Sequence, residues 1–176
     1  MSEEAFSQAV ATWCRREVSR IGARNIVVKA DAQCITGFQA WPEATPQTWR
    51  LWPATRQVDV VLGMDVAFAA GVGEGIVPCL AIELKTGKNL NTDELDKKSA
   101  VYSALREVFP WVRTVFLLQS NSERNMGWYT MMRNARRFDL VLSDWSSKKT
   151  KEVLRNEIQH HLNYVLNYWD FGPRSA

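Results

Sequence analysis

Two β-rich runs, separated by a short glycine-dense segment, lie near the middle of the chain. Residues 58–62 and 77–85 are rich in Val, Ile and Leu, and Gly71, Gly73 and Gly75 lie between them. Branched aliphatic residues favour strands and glycines favour tight turns, so this pattern predicts an antiparallel β-hairpin. We expect the two strands of this hairpin to be central in a β-sheet.

Helical periodicity and end signals predict helices on both sides of this hairpin. Apolar residues recur on one stripe of residues 3–21 before Gly22, and an Asn91 capping box opens a helix that ends at Pro110. The remaining predicted helices are residues 125–137 and 148–168, and the remaining predicted strands are residues 26–29, 112–118 and 138–142. This order predicts an α/β or α+β fold in three layers, with a central mixed β-sheet flanked by helices.

The stretch 37–53 has no regular period and is predicted to be an irregular excursion at the surface. It holds Trp41, Trp49 and Trp52 together with three prolines. Aromatic side chains supply much of the energy at interfaces and stack on nucleic-acid bases. The stretch is therefore either a contact surface or a lid that folds back over the core.

Composition bounds the class of protein. The chain has 176 residues, of which 46% are hydrophobic and 23% charged, so residues 1–176 are expected to form a single globular domain. No apolar run approaches the roughly 18 residues that cross a bilayer. Glu3 and Glu4 stand where a signal peptide would carry basic residues. The expected location is the cytoplasm, with no membrane partner.

The cysteine and histidine counts argue against two common kinds of site. Three cysteines without a CxxC spacing and two adjacent histidines, His160 and His161, disfavour a zinc centre and a Ser-His-Asp triad. A metal ion here would have to be a hard cation held by carboxylates. The formal net charge of +3 permits a polyanionic partner without requiring one.

Charged residues interrupt the second strand of the hairpin near its end. Glu83 and Lys85 are two positions apart, so they project from one face of the strand, the face on which Cys79 precedes them. Ile82 and Leu84 point the opposite way. A charged pair in an apolar strand requires either solvent at the strand end or a partner.

The register of the hairpin locates that partner. If the hairpin folds about its glycine segment, Asp59 lies opposite Glu83 with Cβ atoms about 5 Å apart, whereas Asp65 lies opposite Val77 and far from Glu83. Two carboxylates at that distance repel each other unless a positive charge lies between them. The sequence therefore predicts a Mg²⁺ site at Asp59 and Glu83, to which the backbone carbonyl of Leu84 also contributes.

Metal-assisted phosphodiester hydrolysis requires the groups that this arrangement provides. The cation acts as a Lewis acid and activates a water molecule, while Lys85 positions that water and offsets charge on the phosphate. The predicted catalytic residues are Asp59, Glu83 and Lys85, with Mg²⁺ as the cofactor and Mn²⁺ as a substitute. An alternative without a metal stays open, in which Asp59 forms an ion pair with Lys85 or Arg56 and Glu83 is exposed.

A carboxylate also falls on the apolar stripe of the first helix. Glu17 lies there between Trp13 and Ile21, on the face that is expected to contact the core. Such a residue either pairs with a neighbouring base, Arg20 or Arg24, or belongs to a polar site.

These motifs resemble those of the PD-(D/E)xK nuclease superfamily, which includes type II restriction endonucleases. The resemblance rests on Val58-Asp59 and Glu83-Leu84-Lys85, each in a predicted strand, and covers residues 3–120. The sequence departs from the family motif at Val58, where the family has proline. The resemblance implies a restriction-endonuclease-like fold, with Asp59 and Glu83 as metal ligands and Lys85 as the catalytic lysine.

The same resemblance implies roles for residues on two helices. Many members of the superfamily add a glutamate from the first helix to the metal site, and Glu17 is the candidate for that ligand. Members also often carry a polar residue and a tyrosine on the helix after the lysine strand, and Lys98 and Tyr102 match that pattern loosely.

A basic segment late in the chain predicts contacts with a polyanion. Residues 131–155 hold seven basic residues against three acidic ones, a larger excess than that of the whole chain. Such a patch either binds phosphates by releasing counterions or is an ordinary solvated helix face. The candidate nucleic-acid-binding residues are Lys88, Lys98, Asn121, Arg124, Arg133, Arg136, Arg137, Lys148 and Lys149.

The sequence as a whole predicts a Mg²⁺-dependent DNA endonuclease of the restriction-enzyme type, which hydrolyses phosphodiester bonds in double-stranded DNA. The resemblance, and the need to cut two strands with one site per chain, imply a homodimer. Two alternatives stay open: a structure-specific repair or recombination nuclease of the same fold, and a catalytically silent DNA-binding or assembly module.

Overall fold

The computed structural model describes residues 2–42, 49–67, 74–86, 92–120 and 137–168 of the chain. The elements in these residues are α1 (Glu3–Ile21), β1 (Val27–Pro42), β2 (Trp49–Ala67), β3 (Glu74–Lys85), α2 (Thr92–Val108), β4 (Arg113–Leu118), β5 (Leu140–Leu142) and α3 (Lys148–Tyr168). Most of the predicted helix over 125–137 lies outside the described residues. The described residues also do not include the following positions that the sequence analysis names: Gly71, Gly73, Lys88, Asn91, Asn121, Arg124, Arg133 and Arg136.

α1 and α3 have the ends that the sequence predicts, whereas α2 ends at Val108, before the predicted end at Pro110. The Oγ atom of Ser2 caps α1 by accepting a hydrogen bond from the backbone N–H of Ala5 at 3.2 Å, and Glu3 in the first turn complements the helix dipole. Gly22 ends α1 with a φ of 76°, a left-handed conformation that glycine adopts without strain. α3 also has its predicted bounds. No helix in the described part of the chain is long and apolar enough to cross a bilayer.

The five strands of the described residues form one mixed sheet in the order β1-β2-β3-β4-β5. β2 pairs antiparallel with both β1 and β3, whereas β3, β4 and β5 pair in parallel. α2 makes the crossover that the parallel pair of β3 and β4 requires. Because parallel strands end at the same edge of a sheet, Lys85, Leu118 and Leu142 mark one edge, and the candidate site lies there.

Helices cover both faces of this sheet. On one face α1 and α3 pack against buried residues of β2 and β3 that include Val60 and Ile82. On the other face Tyr102 and Leu105 of α2 belong to a second buried cluster with Phe116. The predicted mixed sheet flanked by helices is therefore confirmed for the described residues.

Residues 37–42 of β1 and 49–53 of β2 pair as a two-stranded arm, so the prediction of an irregular excursion was wrong for these residues. β1 and β2 pair along it as far as Pro42, which lies opposite Trp49. Prolines are tolerated in strands that have a free edge, and the described pairing of β2 with β3 begins only at Val60. The three tryptophans lie on this arm, and their side chains are outside the described residues.

A β-bulge shifts the register within the hairpin of β2 and β3. Gly63 lies opposite Pro78, which leaves Cys79 as the extra residue of β3. Cys79 therefore packs towards α1 and α3 and not on the face that strict alternation predicts. The same shift sets Asp65 opposite Ile76, one residue from the predicted position.

Candidate metal centre

Asp59 lies beside β3 at the point where the described ladder between β2 and β3 ends. The last residues of this ladder are Val60 and Ile82, and one step further Oδ2 of Asp59 accepts a hydrogen bond from the backbone N–H of Leu84 at 2.8 Å. The carboxylate thus replaces a strand carbonyl as the partner of this N–H. The predicted register, with Asp59 next to Glu83, agrees with this pairing.

Glu83 is buried, with one carboxylate oxygen hydrogen-bonded. It is 1% exposed, and its Oε2 accepts a hydrogen bond from the phenol of Tyr102 at 3.0 Å. Its Oε1 has no hydrogen-bond partner of good geometry among the described residues, although the ammonium of Lys98 lies 3.0 Å away. The alternative in which Glu83 is exposed is therefore wrong.

Lys98 places a positive charge between the two carboxylates. Its Nζ is 3.0 Å from Oε1 of Glu83 and 3.7 Å from Oδ1 of Asp59. Burial acts to lower the pKa of Lys98, but the two carboxylates outweigh burial and the pKa is raised. Lys98 therefore carries its charge at the place where the sequence predicts a cation.

Burial makes both carboxylates harder to ionise than they are in water. Loss of hydration, and then the charge of Asp59, raise the pKa of Glu83 from 4.5 to about 7 against the opposing effects of Lys98 and Tyr102. Burial also raises the pKa of Asp59, although the N–H of Leu84 and the charge of Lys98 oppose the shift. A cation that reaches this pair relieves an electrostatic penalty.

A cavity of about 540 Å³ opens beside these residues at the edge of the sheet. Four acidic side chains and two lysines line it, so its field attracts cations. The side chain of Lys85 is 11% exposed there, and its Nζ lies 3.4 Å from Oε1 of Glu3. The lining residues are Glu3, Glu4, Ser7, Asp31, Gln57, Asp59, Leu84, Lys85 and Lys98.

The backbone carbonyl of Leu84 is directed to the same side of β3 as its N–H. In a strand, the N–H and C=O of one residue point to the same neighbouring strand, and the N–H of Leu84 points to Asp59. Leu84 also lines the cavity. By this strand geometry the Leu84 carbonyl faces the side of β3 on which Asp59 lies.

These donors fit a hard divalent cation such as Mg²⁺. In the part of the chain that is described, no group of three or more His, Cys, Asp or Glu side chains is placed to hold a metal. Mg²⁺ needs only one or two protein carboxylates and keeps several waters, whereas a structural zinc site needs four protein ligands. The buried Oε1 of Glu83 is an atom that such a cation would satisfy.

The structure does not bring Glu17 to this centre. Its carboxylate lies 2.7 Å from Nη1 of Arg20 and 2.9 Å from Nε of Arg155, between α1 and α3. At a rise of about 1.5 Å per residue, Glu17 is about 20 Å along α1 from Glu3, which does line the cavity. The pairing of Glu17 with Arg20 is confirmed, and the assignment of Glu17 as a metal ligand is corrected.

The described candidates for nucleic-acid contacts occupy three different positions. Lys148 and Lys149 are exposed in the first turn of α3, which follows β5 at the same sheet edge as the cavity. Arg137 forms an ion pair with Asp96 of α2, so its guanidinium is engaged within the fold. Lys98 lies at the carboxylates of the candidate centre.

Three acidic residues of the cavity, Glu3, Glu4 and Asp31, were not predicted as site residues. The neighbours of Asp31 pair with the neighbours of Asp59, so the two aspartates lie opposite each other in β1 and β2. Polar and apolar residues alternate over 28–34, and this signal of a longer β1 was missed. Ser7 of α1 donates a hydrogen bond to Oδ2 of Asp31 at 3.1 Å. No sequence pattern indicates that α1 brings its first turn to β3.

Comparison with known proteins adds no family assignment. The chain matches no protein-family model and no curated protein sequence. The function is therefore inferred from the geometry and chemistry of the candidate centre.

Proposed function

We propose that this chain is a Mg²⁺-dependent DNA endonuclease of the restriction-enzyme type, which hydrolyses phosphodiester bonds in double-stranded DNA. The observation that carries the proposal is the convergence of Asp59 and Glu83 on one positive charge, beside a cavity that holds Lys85. The resemblance to PD-(D/E)xK nucleases implies this arrangement, and a mixed sheet between helices is compatible with a restriction-endonuclease-like fold.

Three residues would hold the metal: Asp59, Glu83 and, through its backbone carbonyl, Leu84. When bound, Mg²⁺ supplies a Lewis acid for the phosphate and lowers the pKa of a water ligand. Tyr102 fixes Oε2 of Glu83, and the N–H of Leu84 fixes Oδ2 of Asp59. The other oxygen of each carboxylate is thereby oriented for a cation.

Lys85 offsets the negative charge that develops on the phosphate. During hydrolysis the water oxygen forms a bond to phosphorus while the P–O ester bond breaks. The attacking water gives up one proton to solvent, and the leaving oxygen takes up one proton from solvent. The Lys85 ammonium is held in the cavity near Glu3, so little reorganisation is needed to bring it to the reacting group. Lys85 also orients the attacking water.

The sheet edge that carries the centre also carries basic residues for the DNA backbone. Lys148 and Lys149 follow β5 at this edge, and lysines there bind phosphates without reading sequence. Cutting both strands with one centre per chain requires two copies on the duplex. We therefore propose a homodimer on DNA, which analytical ultracentrifugation of the complex would detect.

A catalytically silent DNA-binding module is a second candidate, and one observation favours it. Lys98 already offsets charge at Asp59 and Glu83, so the pair is partly neutralised without a metal. A silent module would bind DNA equally well with and without Mg²⁺ and would leave it intact.

Incubation of the purified chain with supercoiled plasmid and Mg²⁺ tests the proposal. We expect the wild type to nick or linearise the plasmid, and Lys85→Ala and Glu83→Gln to abolish cleavage. The matched control is Asp65→Asn, because Asp65 lies on the same hairpin in an exposed pair with Lys29. This control is expected to cleave as the wild type does.

The choice of DNA separates the remaining alternatives. Discrete fragments from long DNA would support a restriction enzyme, whereas cleavage confined to branched DNA would identify a structure-specific nuclease. DNA binding without cleavage of any of these substrates, in Mg²⁺ or Mn²⁺, would overturn the proposal in favour of the silent module.

A further inference from the structure

We infer that the ammonium of Lys98 is an internal counter-ion, which holds the metal position in the cation-free protein and is displaced when a divalent cation binds. The inference rests on the metal site of the proposed function. It adds a residue that sets the cation affinity of that site.

The hydrogen bonds of the two carboxylates leave one oxygen of each for a cation. Tyr102 donates to Oε2 of Glu83, and the backbone N–H of Leu84 donates to Oδ2 of Asp59. The remaining oxygens, Oε1 and Oδ1, are the atoms that lie 3.0 Å and 3.7 Å from Nζ of Lys98. A cation that bridges the two carboxylates uses these same atoms.

Charge opposes simultaneous occupancy of the site by the ammonium and a divalent cation. Glu83 is 1% exposed, so little water screens the repulsion between two positive groups there. Lys85 adds a further positive charge in the same cavity, whereas Glu3, Glu4 and Asp31 add negative ones that attract cations in general. The repulsion that decides the exchange is the local one, at the two carboxylate oxygens that both positive groups would contact. Binding of a divalent cation therefore requires the ammonium to move away.

Lys98 is placed so that it can move without disturbing the ligands. Its side chain comes from α2 and is 36% exposed, whereas Asp59 and Glu83 belong to paired strands. The flexible four-carbon stem of lysine allows the ammonium to turn into solvent while the strands stay fixed. The exchange is then a side-chain rearrangement and not a change of fold.

This exchange means that Lys98 stabilises the cation-free protein and weakens cation binding. In the cation-free protein the ammonium compensates the carboxylates, so its loss should lower the free energy of unfolding. In the cation-bound protein the ammonium is displaced, so its loss should strengthen cation binding. A lysine that only supports the fold would change the first quantity and leave the second unchanged.

Isothermal titration of the full chain with MgCl₂ measures the predicted gain in affinity. We expect Lys98→Met to bind Mg²⁺ about tenfold more tightly than the wild type, a usual scale for coupling between two ligands of one protein. The matched control is Lys97→Met, because Lys97 is the neighbouring, exposed lysine of α2. It should bind Mg²⁺ as the wild type does.

The outcomes distinguish this inference from the proposed function. Unchanged or weaker Mg²⁺ binding by Lys98→Met would overturn the inference and leave the metal site standing. Absence of Mg²⁺ and Mn²⁺ binding by the wild type and by Lys98→Met would overturn the metal site itself, and both proposals with it.

A measurement on the wild type decides the question even if Lys98→Met fails to fold. Lysines of the full chain are acetylated with an N-hydroxysuccinimide ester, and the ratio of labelling at Lys98 to labelling at Lys97 is measured by mass spectrometry. We expect saturating Mg²⁺ to increase this ratio, because the released ammonium is more accessible. A ratio that Mg²⁺ does not change would overturn the inference.

Discussion

The phenol of Tyr102 donates a hydrogen bond to Oε2 of Glu83 at 3.0 Å, and both side chains are about 1% exposed. This contact joins the middle of α2 to the central strand of the sheet. It fixes the orientation of a carboxylate that would otherwise be buried without a donor. The candidate centre therefore depends on the packing of α2 as well as on the hairpin.

Replacement of Tyr102 by phenylalanine should destabilise the protein. The substitution keeps the ring but leaves Oε2 of Glu83 without its donor, which costs about 1–3 kcal/mol for a buried polar group. Urea denaturation followed by circular dichroism measures the loss. Tyr164→Phe, at a largely exposed tyrosine, should stay within about 0.5 kcal/mol of the wild type, and an equal loss in both variants would contradict the prediction.

The stability of the cation-free protein should fall as pH rises from about 4.5 to about 7. The pKa of Glu83 is raised in the folded state to about 7, so the folded protein binds the proton more tightly than the unfolded chain does. The stabilisation from protonated Glu83 is complete below the unfolded pKa of 4.5 and is lost as pH passes through about 7. For pKa values of 4.5 and about 7, its size is on the order of 3 kcal/mol.

The variant Glu83→Gln isolates this effect from other titrating groups. Free energies of unfolding for both proteins, measured by urea denaturation in EDTA between pH 4.5 and 8, give the difference that belongs to Glu83. We expect the wild type to lose stability relative to Glu83→Gln across this interval. Parallel pH profiles for the two proteins would show that the pKa of Glu83 is not raised.

The bulge in the central hairpin should depend on Gly63. A Cβ atom at this position would meet the carbonyl oxygen of Val77 and lie 2.8 Å from Cγ2 of Ile76, closer than side-chain carbons approach. Gly63→Ala should therefore lower the free energy of unfolding by about 1–3 kcal/mol through overpacking. Thermal and urea denaturation measure this change.

Gly37→Ala is the matched control for this prediction. Gly37 also lies in a strand, but a Cβ atom there would be 3.9 Å from Cβ of Ala54, an ordinary contact. We expect this variant to differ from the wild type by no more than about 0.5 kcal/mol. Equal destabilisation by the two alanines would mean that β2 and β3 do not approach closely at Gly63.

Glu17→Gln should separate stability from cation binding. The carboxylate of Glu17 pairs with Arg20 and Arg155, and these partners hold its pKa below the ordinary value even though burial opposes them. We expect the variant to unfold at a lower urea concentration and to bind Mg²⁺ as the wild type does. A loss of Mg²⁺ affinity would restore Glu17 as a candidate ligand.

Local signals in the sequence were sufficient to predict both ends of α1 and the strand register at the candidate centre. Ser2 and Gly22 cap α1 with groups that act within a few residues, so their positions predict the helix ends directly. The placement of Asp59 beside Glu83 followed from the symmetry of a hairpin about its glycine segment. The bulge at Gly63 shifts the pairing only between Gly63 and the turn of the hairpin. The register at Asp59 and Glu83 is therefore the one that a symmetric hairpin predicts.

The remaining parts of the centre depend on contacts between residues that are distant in sequence. A helical stripe places Glu17 in the interior but does not reveal that Arg155 of α3 faces it. Lys98 matched a family pattern only loosely, and its ion pairs with both carboxylates depend on how α2 packs on β3. The arm of β1 and β2 was missed because its prolines and tryptophans suggested a loop, although tertiary pairing stabilises them as strands.

Diffraction data collected at the manganese absorption edge, from a crystal of the protein soaked with Mn²⁺, show whether a divalent cation binds between Asp59 and Glu83. Mn²⁺ replaces Mg²⁺ at oxygen sites and gives an anomalous signal. We expect an anomalous peak in contact with Oε1 of Glu83 and Oδ1 of Asp59, with Lys98 turned away from both. A map at saturating Mn²⁺ with no peak at these oxygens, and with Lys98 still paired to them, would contradict this expectation.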